Sequence, residues 1–275
     1  MSKRILVVLS EYGYWGEELV GPLEHFDARG YRTTFLTPTG KRARALPPST
    51  DPDYVDPPLG RSVTTADMAR RVRETDDSDR LDNPLSLADL IPERPYYSAI
   101  NHLRELEDYH RRLDDALEGL VGSFDALVVV GGSGPIVDLA NNERLHELIL
   151  AFADADKPIL AECYGVAALA FARDLETRTS LLWGKHVTGH PKEYDYKDGT
   201  GFLGVEFNMG PPPYPLEYIL RDATGPEGGF HGNVGKEISV IVDFPFVTAR
   251  STPDSGPSGE LLVEVLENGL RRHGW

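Results

Sequence analysis

The chain opens with a continuous aliphatic run, Ile5 to Leu9, and the stretch from Glu17 to Arg29 then places Leu19, Leu23 and Phe26 at helical spacing before Gly30. Arg32 to Leu36 reads as a second strand. Short apolar strands alternating with amphipathic helices predict right-handed βαβ units, a mainly parallel sheet and helices on both of its faces. The alternation stops near Pro38 and resumes at Ala126 to Val130, so residues 39–122 read as an insertion within one domain spanning residues 1–275. Eight of the 21 prolines fall between Pro47 and Pro95, which makes the first half of that insertion loop-like apart from a short helix over Thr65 to Arg73. In the second half, Ile100, Leu103, Leu106, Leu113, Leu117 and Leu120 stand among charged residues and predict an amphipathic helix from Ser98 to Leu120.

Beyond Val130 the pattern predicts a helix over Ile136 to Ala155, a strand over Pro158 to Ala161 and an apolar helix over Val166 to Arg173. A strand pair at His186 to Thr188 and Ile238 to Asp243 follows, and a helix over Ser258 to Arg271 closes the chain.

Charge narrows the partners. Asp and Glu number 44 against 28 Lys and Arg, a formal charge of −16, opposite in sign to a surface that neutralises phosphate. Nucleic acid and anionic membrane are therefore excluded as expected partners. The basic start at Lys3-Arg4 precedes an apolar run of only five residues, a buried strand rather than a signal peptide, and no run approaches the ~20 residues that cross a bilayer. The single cysteine, Cys163, rules out an intrachain disulfide, a CxxC pair and a multi-cysteine zinc site. A reducing, cytoplasmic compartment is the expectation, with no metal and no cofactor.

Cys163 sits between a buried strand and a helix, the setting of a nucleophile elbow, in which a tight turn lifts one side chain above the sheet. There a helix start would favour a thiolate more acidic than a free thiol, and the Tyr164 N–H can face a developing oxyanion. The bland alternative is a buried structural thiol. Gly131-Gly132-Ser133-Gly134 follows another buried strand and falls at the same carboxyl-end edge, where backbone N–H groups can approach a substrate oxygen; Gly131 and Ser133 are candidate substrate contacts. His190 stands at the end of the strand His186 to Thr188, placed to move a proton near Cys163 or simply to pack, whereas His186 reads as structural. Glu18 opens the first helix at this edge, either complementing its dipole or holding a carboxyl near the thiol.

A Glu on the first helix, GGxG after the third core strand, Ala161-Glu162-Cys163-Tyr164-Gly165, and Thr188-Gly189-His190-Pro191 together resemble the ThiJ/PfpI superfamily, a branch of the class I glutamine amidotransferase-like fold. That resemblance implies a flavodoxin-like three-layer α/β sandwich. It also implies Cys163 as nucleophile, Glu18 as the carboxyl bonded to it, His190 as acid/base, Gly132 and Tyr164 as oxyanion-hole amides, and a homodimer. In the larger chaperone-and-glyoxalase branch a His partnered by an Asp follows the nucleophile, whereas Tyr164 stands here. Glu193 lies one residue beyond the His-x-Glu spacing of glutaminases, which argues against glutaminase activity.

The resulting expectation is a cofactor-independent cysteine enzyme acting on a small electrophile, by glyoxalase III-like hydration and isomerisation of a reactive carbonyl. The alternatives are isocyanide hydration, a hydrolytic tailoring step, or a non-enzymatic holdase or redox sensor. Gly-, Pro- and aromatic-rich loops at residues 210–214 and 228–233 bring Tyr214 and His231 as candidate substrate contacts, or serve as plain surface or dimer contacts. The insertion is expected to act as a lid near Cys163 or as an interface subdomain, with its acidic run Glu74 to Asp79 solvated.

Overall fold

The first aliphatic run forms the centre of a sheet. In the computed structural model, which describes residues 2–56, 60–97, 100–174, 176–195 and 215–275, β1 (Arg4–Val8), α1 (Gly16–Ala28) and β2 (Arg32–Thr37) make the opening βαβ limb. The segment after it carries β3 (Val55–Asp56), β4 (Arg61–Ser62), α2 (Ala66–Asp76), β5 (Leu85–Ser86), α3 (Leu87–Leu90) and α4 (His102–Ser123). Next come β6 (Ala126–Val129), α5 (Pro135–Asp138), α6 (Glu143–Asp154), β7 (Ile159–Glu162) and α7 (Val166–Phe171). The remainder is β8 (His186–Val187), α8 (Leu216–Thr224), β9 (Gly229–Phe230), β10 (Val240–Asp243), β11 (Phe246–Ala249), α9 (Ser255–Asn268) and β12 (Arg272–His273).

Among the described residues the main sheet has eight strands in the order β12-β10-β11-β7-β6-β1-β2-β5. It is parallel from β11 to β5 and antiparallel at the β10 and β12 edge. This is the flavodoxin-like α/β sandwich that the resemblance implies, built on the mainly parallel sheet that the alternating pattern predicts. Along β1, successive side chains point to opposite faces. Leu6 and Val8 join a core with Leu113, Leu148 and Leu169, whereas Ile5 and Val7 join Leu23, Phe26 and Leu262 on the other face. On that second face α1 and α9 approach so closely that a Cβ on Gly259 would sit 2.6 Å from Pro22 Cα.

Several expectations are revised. The helix over Ile136 to Ala155 divides, because Asn142 accepts the Leu145 N–H at 3.2 Å and caps a new helix, α6. The strands at His186 and Ile238 do not pair with each other: β8 runs parallel to β9, while β10 pairs with β11, which the apolar pattern did not mark. The segment 39–122 joins the main layers, since β5 pairs with β2 and the apolar face of α4 packs into the core through Tyr109, Leu113 and Leu120. Asp76 in its acidic run is mostly buried, accepting hydrogen bonds from the Tyr14 hydroxyl at 2.8 Å and the Ala45 N–H at 2.9 Å. Two strong donors offset the desolvation that the isolated run would make costly. Among the described residues no helix is long and apolar enough to cross a membrane.

Candidate functional site

The carboxyl ends of β1, β6 and β7 converge on Cys163. Strand β7 ends at Glu162, and Cys163 turns the chain with φ +51°, a left-handed conformation costly for a side-chain-bearing residue, before α7 begins. Close approach dictates the neighbours: a Cβ on Gly165 would lie 2.8 Å from the Val129 carbonyl oxygen. A Cβ on Gly131 would collide with Glu18 Oε2, with the Glu162 carbonyl oxygen and, at 2.7 Å, with Cys163 Cβ. Gly132 adopts φ +94°, which only glycine tolerates readily, and its N–H, like that of Tyr164, donates to the Cys163 sulfur. Gly131, Gly132, Tyr164, Glu18 and Cys163 are thus gathered in one place, and Ser133 lies one residue along the same loop.

His190 Nδ1 lies 3.5 Å from Cys163 Sγ, and its Nε2 lies 3.3 Å from Asp195 Oδ1. Asp195 is the residue the sequence reading passed over. A 3₁₀ turn over Lys192–Tyr194 brings it back against His190, and the Asp195 N–H donates to the Lys192 carbonyl at 3.1 Å to close that turn. A signal did exist: an acid five residues after His190, past Pro191, is one turn away once the chain reverses. The spacing differs from His-x-Glu because a full turn intervenes.

Electrostatics at the site depart from the expected acidic thiol. Burial pushes the Cys163 thiol well up and the adjacent Glu18 adds to this, while the two N–H donors pull it down. Burial, followed by the charge of Glu162, likewise holds the Glu18 carboxyl far above the ordinary carboxylate range. Burial thus favours the protonated form of Glu18 beside Cys163. The thiol can ionise only by passing its proton to a partner, and His190 is in reach.

Other candidates go elsewhere. His231 Nε2 faces His186 Nδ1 at 2.8 Å, and His186 in turn stacks on Trp275 with ring centroids 3.7 Å apart. Tyr214 lies outside the described residues. No group of three or more His, Cys, Asp or Glu side chains among the described residues is arranged to hold a metal ion.

A family model described as ThiJ/PfpI family-like matches residues 9–189, from the end of β1 to the residue before His190. The chain belongs to the ThiJ/PfpI-like family. Curated relatives of this family member include the glutamine amidotransferase-like class 1 domain-containing protein 1 of Bos taurus, 29% identical over 148 residues, 54% of this chain and 62% of that protein. Another is the protein/nucleic acid deglycase HchA of Staphylococcus aureus, 24% identical over 177 residues, 63% of this chain and 58% of the relative. The matches span about three fifths of the length of these relatives. Among solved structures, glyoxalase III from Candida albicans superposes with a TM-score of 0.63 at 17% identity over 97% of this chain and 98% of that one. The 24 kDa rapid encystment protein of Francisella tularensis gives 0.63 at 18% identity, covering 96% and 99%. These likenesses concern the fold.

The ThiJ/PfpI-like core is flanked here by the segment expected to be a lid. The Leu46 N–H donates to the Tyr14 carbonyl at 2.8 Å, and Leu46 Cδ1 would lie 3.1 Å from a Cβ on Gly132. The charge of Asp56, on β3, reaches the Tyr164 phenol. Leu46 of segment 39–122 therefore packs against Gly132.

Proposed function

We propose that the chain is a cofactor-independent cysteine enzyme that converts a small 2-oxoaldehyde and water into a 2-hydroxy acid. The observation that carries this reading is the line Cys163 Sγ, His190 Nδ1, His190 Nε2, Asp195 Oδ1, at 3.5 and 3.3 Å, beside the Gly132 and Tyr164 N–H groups. A nucleophile, a base within reach of it and a carboxylate orienting the base are the parts covalent catalysis needs. The similarity to a deglycase and to a glyoxalase III supports the choice of a reactive carbonyl.

In this mechanism His190 takes the Cys163 proton and Sγ attacks the aldehyde carbon, whose oxygen is held by the two N–H donors and protonated from Glu18 to give a hemithioacetal. His190 gives the proton it took from Cys163 back to Glu18 and, neutral again, moves the proton of that carbon to the neighbouring ketone carbon while the hydroxyl proton shifts to the ketone oxygen. The first carbon becomes a thioester as the ketone becomes a hydroxyl, so no external oxidant is needed. Water hydrolyses the thioester, releasing the acid and restoring the thiol. Gly131 and Ser133 are the substrate contacts in this reading, and the segment around Leu46 and Asp56 acts as the lid. His231, bonded to His186, serves this reading only by shaping the loop after β9. The reading extends to a cytoplasmic homodimer, in keeping with a lone thiol in a reducing compartment.

The test is turnover of methylglyoxal to lactate by wild type and by Cys163→Ser, with intact-mass detection of a Cys163 adduct. The variant is expected to lose activity by about 10³-fold or more and to form no adduct. Undiminished turnover in Cys163→Ser, or no turnover of any 2-oxoaldehyde by wild type, overturns the proposal.

A further inference from the structure

The side chain of Tyr164 has no part in the reaction just described, which uses only its backbone N–H. Yet it is the most tightly engaged aromatic at the site. Its ring stacks on the imidazole of His190, with centroids 4.4 Å apart and planes 25° from parallel. Its hydroxyl donates a short hydrogen bond to Asp195 Oδ1, the same oxygen that faces His190 Nε2. The other carboxylate oxygen, Asp195 Oδ2, is buried with no hydrogen-bond partner among the described residues. Two donors therefore compete for one oxygen.

We propose that Tyr164 is a positioning residue that fixes the His190 imidazole between its ring and Cys163, and that its phenol draws off part of the Asp195 charge that would otherwise stabilise the imidazolium. The proposal rests on the reading of Cys163 and His190 given above. Burial, and then the charge of Asp195, holds the phenol far above its ordinary value, so it stays a donor throughout the working pH range. Tyr164 thereby shares the Asp195 oxygen with His190, whose ring must both accept the thiol proton and release it.

The surroundings of His190 bear on any such titration. Cys163 and, behind it, Glu18 face it from the β7 and α1 side. Tyr194 meets it in a T-shaped contact with ring centroids 5.9 Å apart, and Arg250 lies over the Tyr194 ring. Asp56 of the β3 hairpin acts on Tyr164 itself, and Glu217 of α8 accepts the Lys192 N–H at 3.2 Å at the start of the turn that carries Asp195. Tyr164→Phe leaves all of these in place and keeps the stack.

The experiment follows the His190 imidazole by NMR titration in wild type, Tyr164→Phe, Asp195→Asn and the double variant, each checked for a native thermal melt. Loss of one charge-assisted hydrogen bond should move the His190 midpoint in Tyr164→Phe upward by several-fold to about tenfold in the protonation equilibrium, that is, by up to about one pH unit. The rate–pH profile of Cys163 alkylation should move with it. In the Asp195→Asn background the same substitution should have no further effect. An unchanged or lowered midpoint in Tyr164→Phe, or an equal shift with and without Asp195, overturns the proposal. Because the titration needs no turnover, failure of the enzymatic reading, seen with Cys163→Ser, stays distinguishable from failure of this one.

Discussion

Glu162, immediately before Cys163, is fully buried, with Ser258 Oγ donating to its Oε1 at 2.5 Å and no partner on Oε2 among the described residues. Burial pushes its carboxyl from 4.5 up to about 8; Asp254 and Glu17 add to the rise, while hydrogen bonds from Ser258 and Ser255 oppose it. A carboxyl with a raised folded-state pKa binds its proton more tightly when folded. Its stabilising contribution is thus complete below the unfolded value, near 4.5, and drains away as pH climbs to about 8. Across that interval about 1.4 kcal/mol is lost per pH unit, about 5 kcal/mol in all. Glu162→Gln keeps the shape and removes the titration. Urea unfolding of both proteins from pH 5 to 9 should therefore give a wild-type-minus-variant stability that falls by several kcal/mol up to pH 8 and then levels off. A difference that stays constant with pH would refute the reasoning, and with it the upward shift of the Glu162 carboxyl.

Gly131→Ala puts a Cβ into Glu18 Oε2, the Glu162 carbonyl and Cys163 Cβ; a loss of about 1–3 kcal/mol is expected by urea unfolding, and a variant as stable as wild type would contradict that packing. Arg250 is buried, donates to the Asn233, Lys236 and Glu237 carbonyls at 2.7, 3.0 and 3.0 Å, and pairs with Asp254 at 3.3 Å. Arg250→Met strands a buried carboxylate and should cost about 3–5 kcal/mol, read as a lowered melting temperature. His190→Ala is expected to slow methylglyoxal turnover far more than hemithioacetal formation at Cys163, because the proton shift follows attack; equal losses in both would assign the shift to another group.

Much of this architecture was legible locally. Aliphatic runs such as Ile5 to Leu9 bury both faces only in a parallel sheet, and in such a sheet the residues after each run meet at one edge. The order of strands and helices alone therefore groups Glu18, Gly131, Gly132, Cys163 and His190. Helix ends were legible where a local residue sets them, as Thr65 does for α2 by accepting the Met68 N–H at 3.2 Å. The break between α5 and α6 escaped because the apolar spacing continues across it.

The sequence by itself determined what depends on neighbours along the chain: the alternation of strands and helices, the glycines where backbone must approach backbone, and the turn that carries Cys163. Only the tertiary structure decided what depends on distance and burial. Asp195 reaches His190 because a 3₁₀ turn folds back, and Tyr164 meets both because β7 ends beside that turn. The direction of the Cys163 and Glu18 shifts follows from the burial of both groups. Desolvation is a property of the whole enclosure, and no window of the sequence contains it.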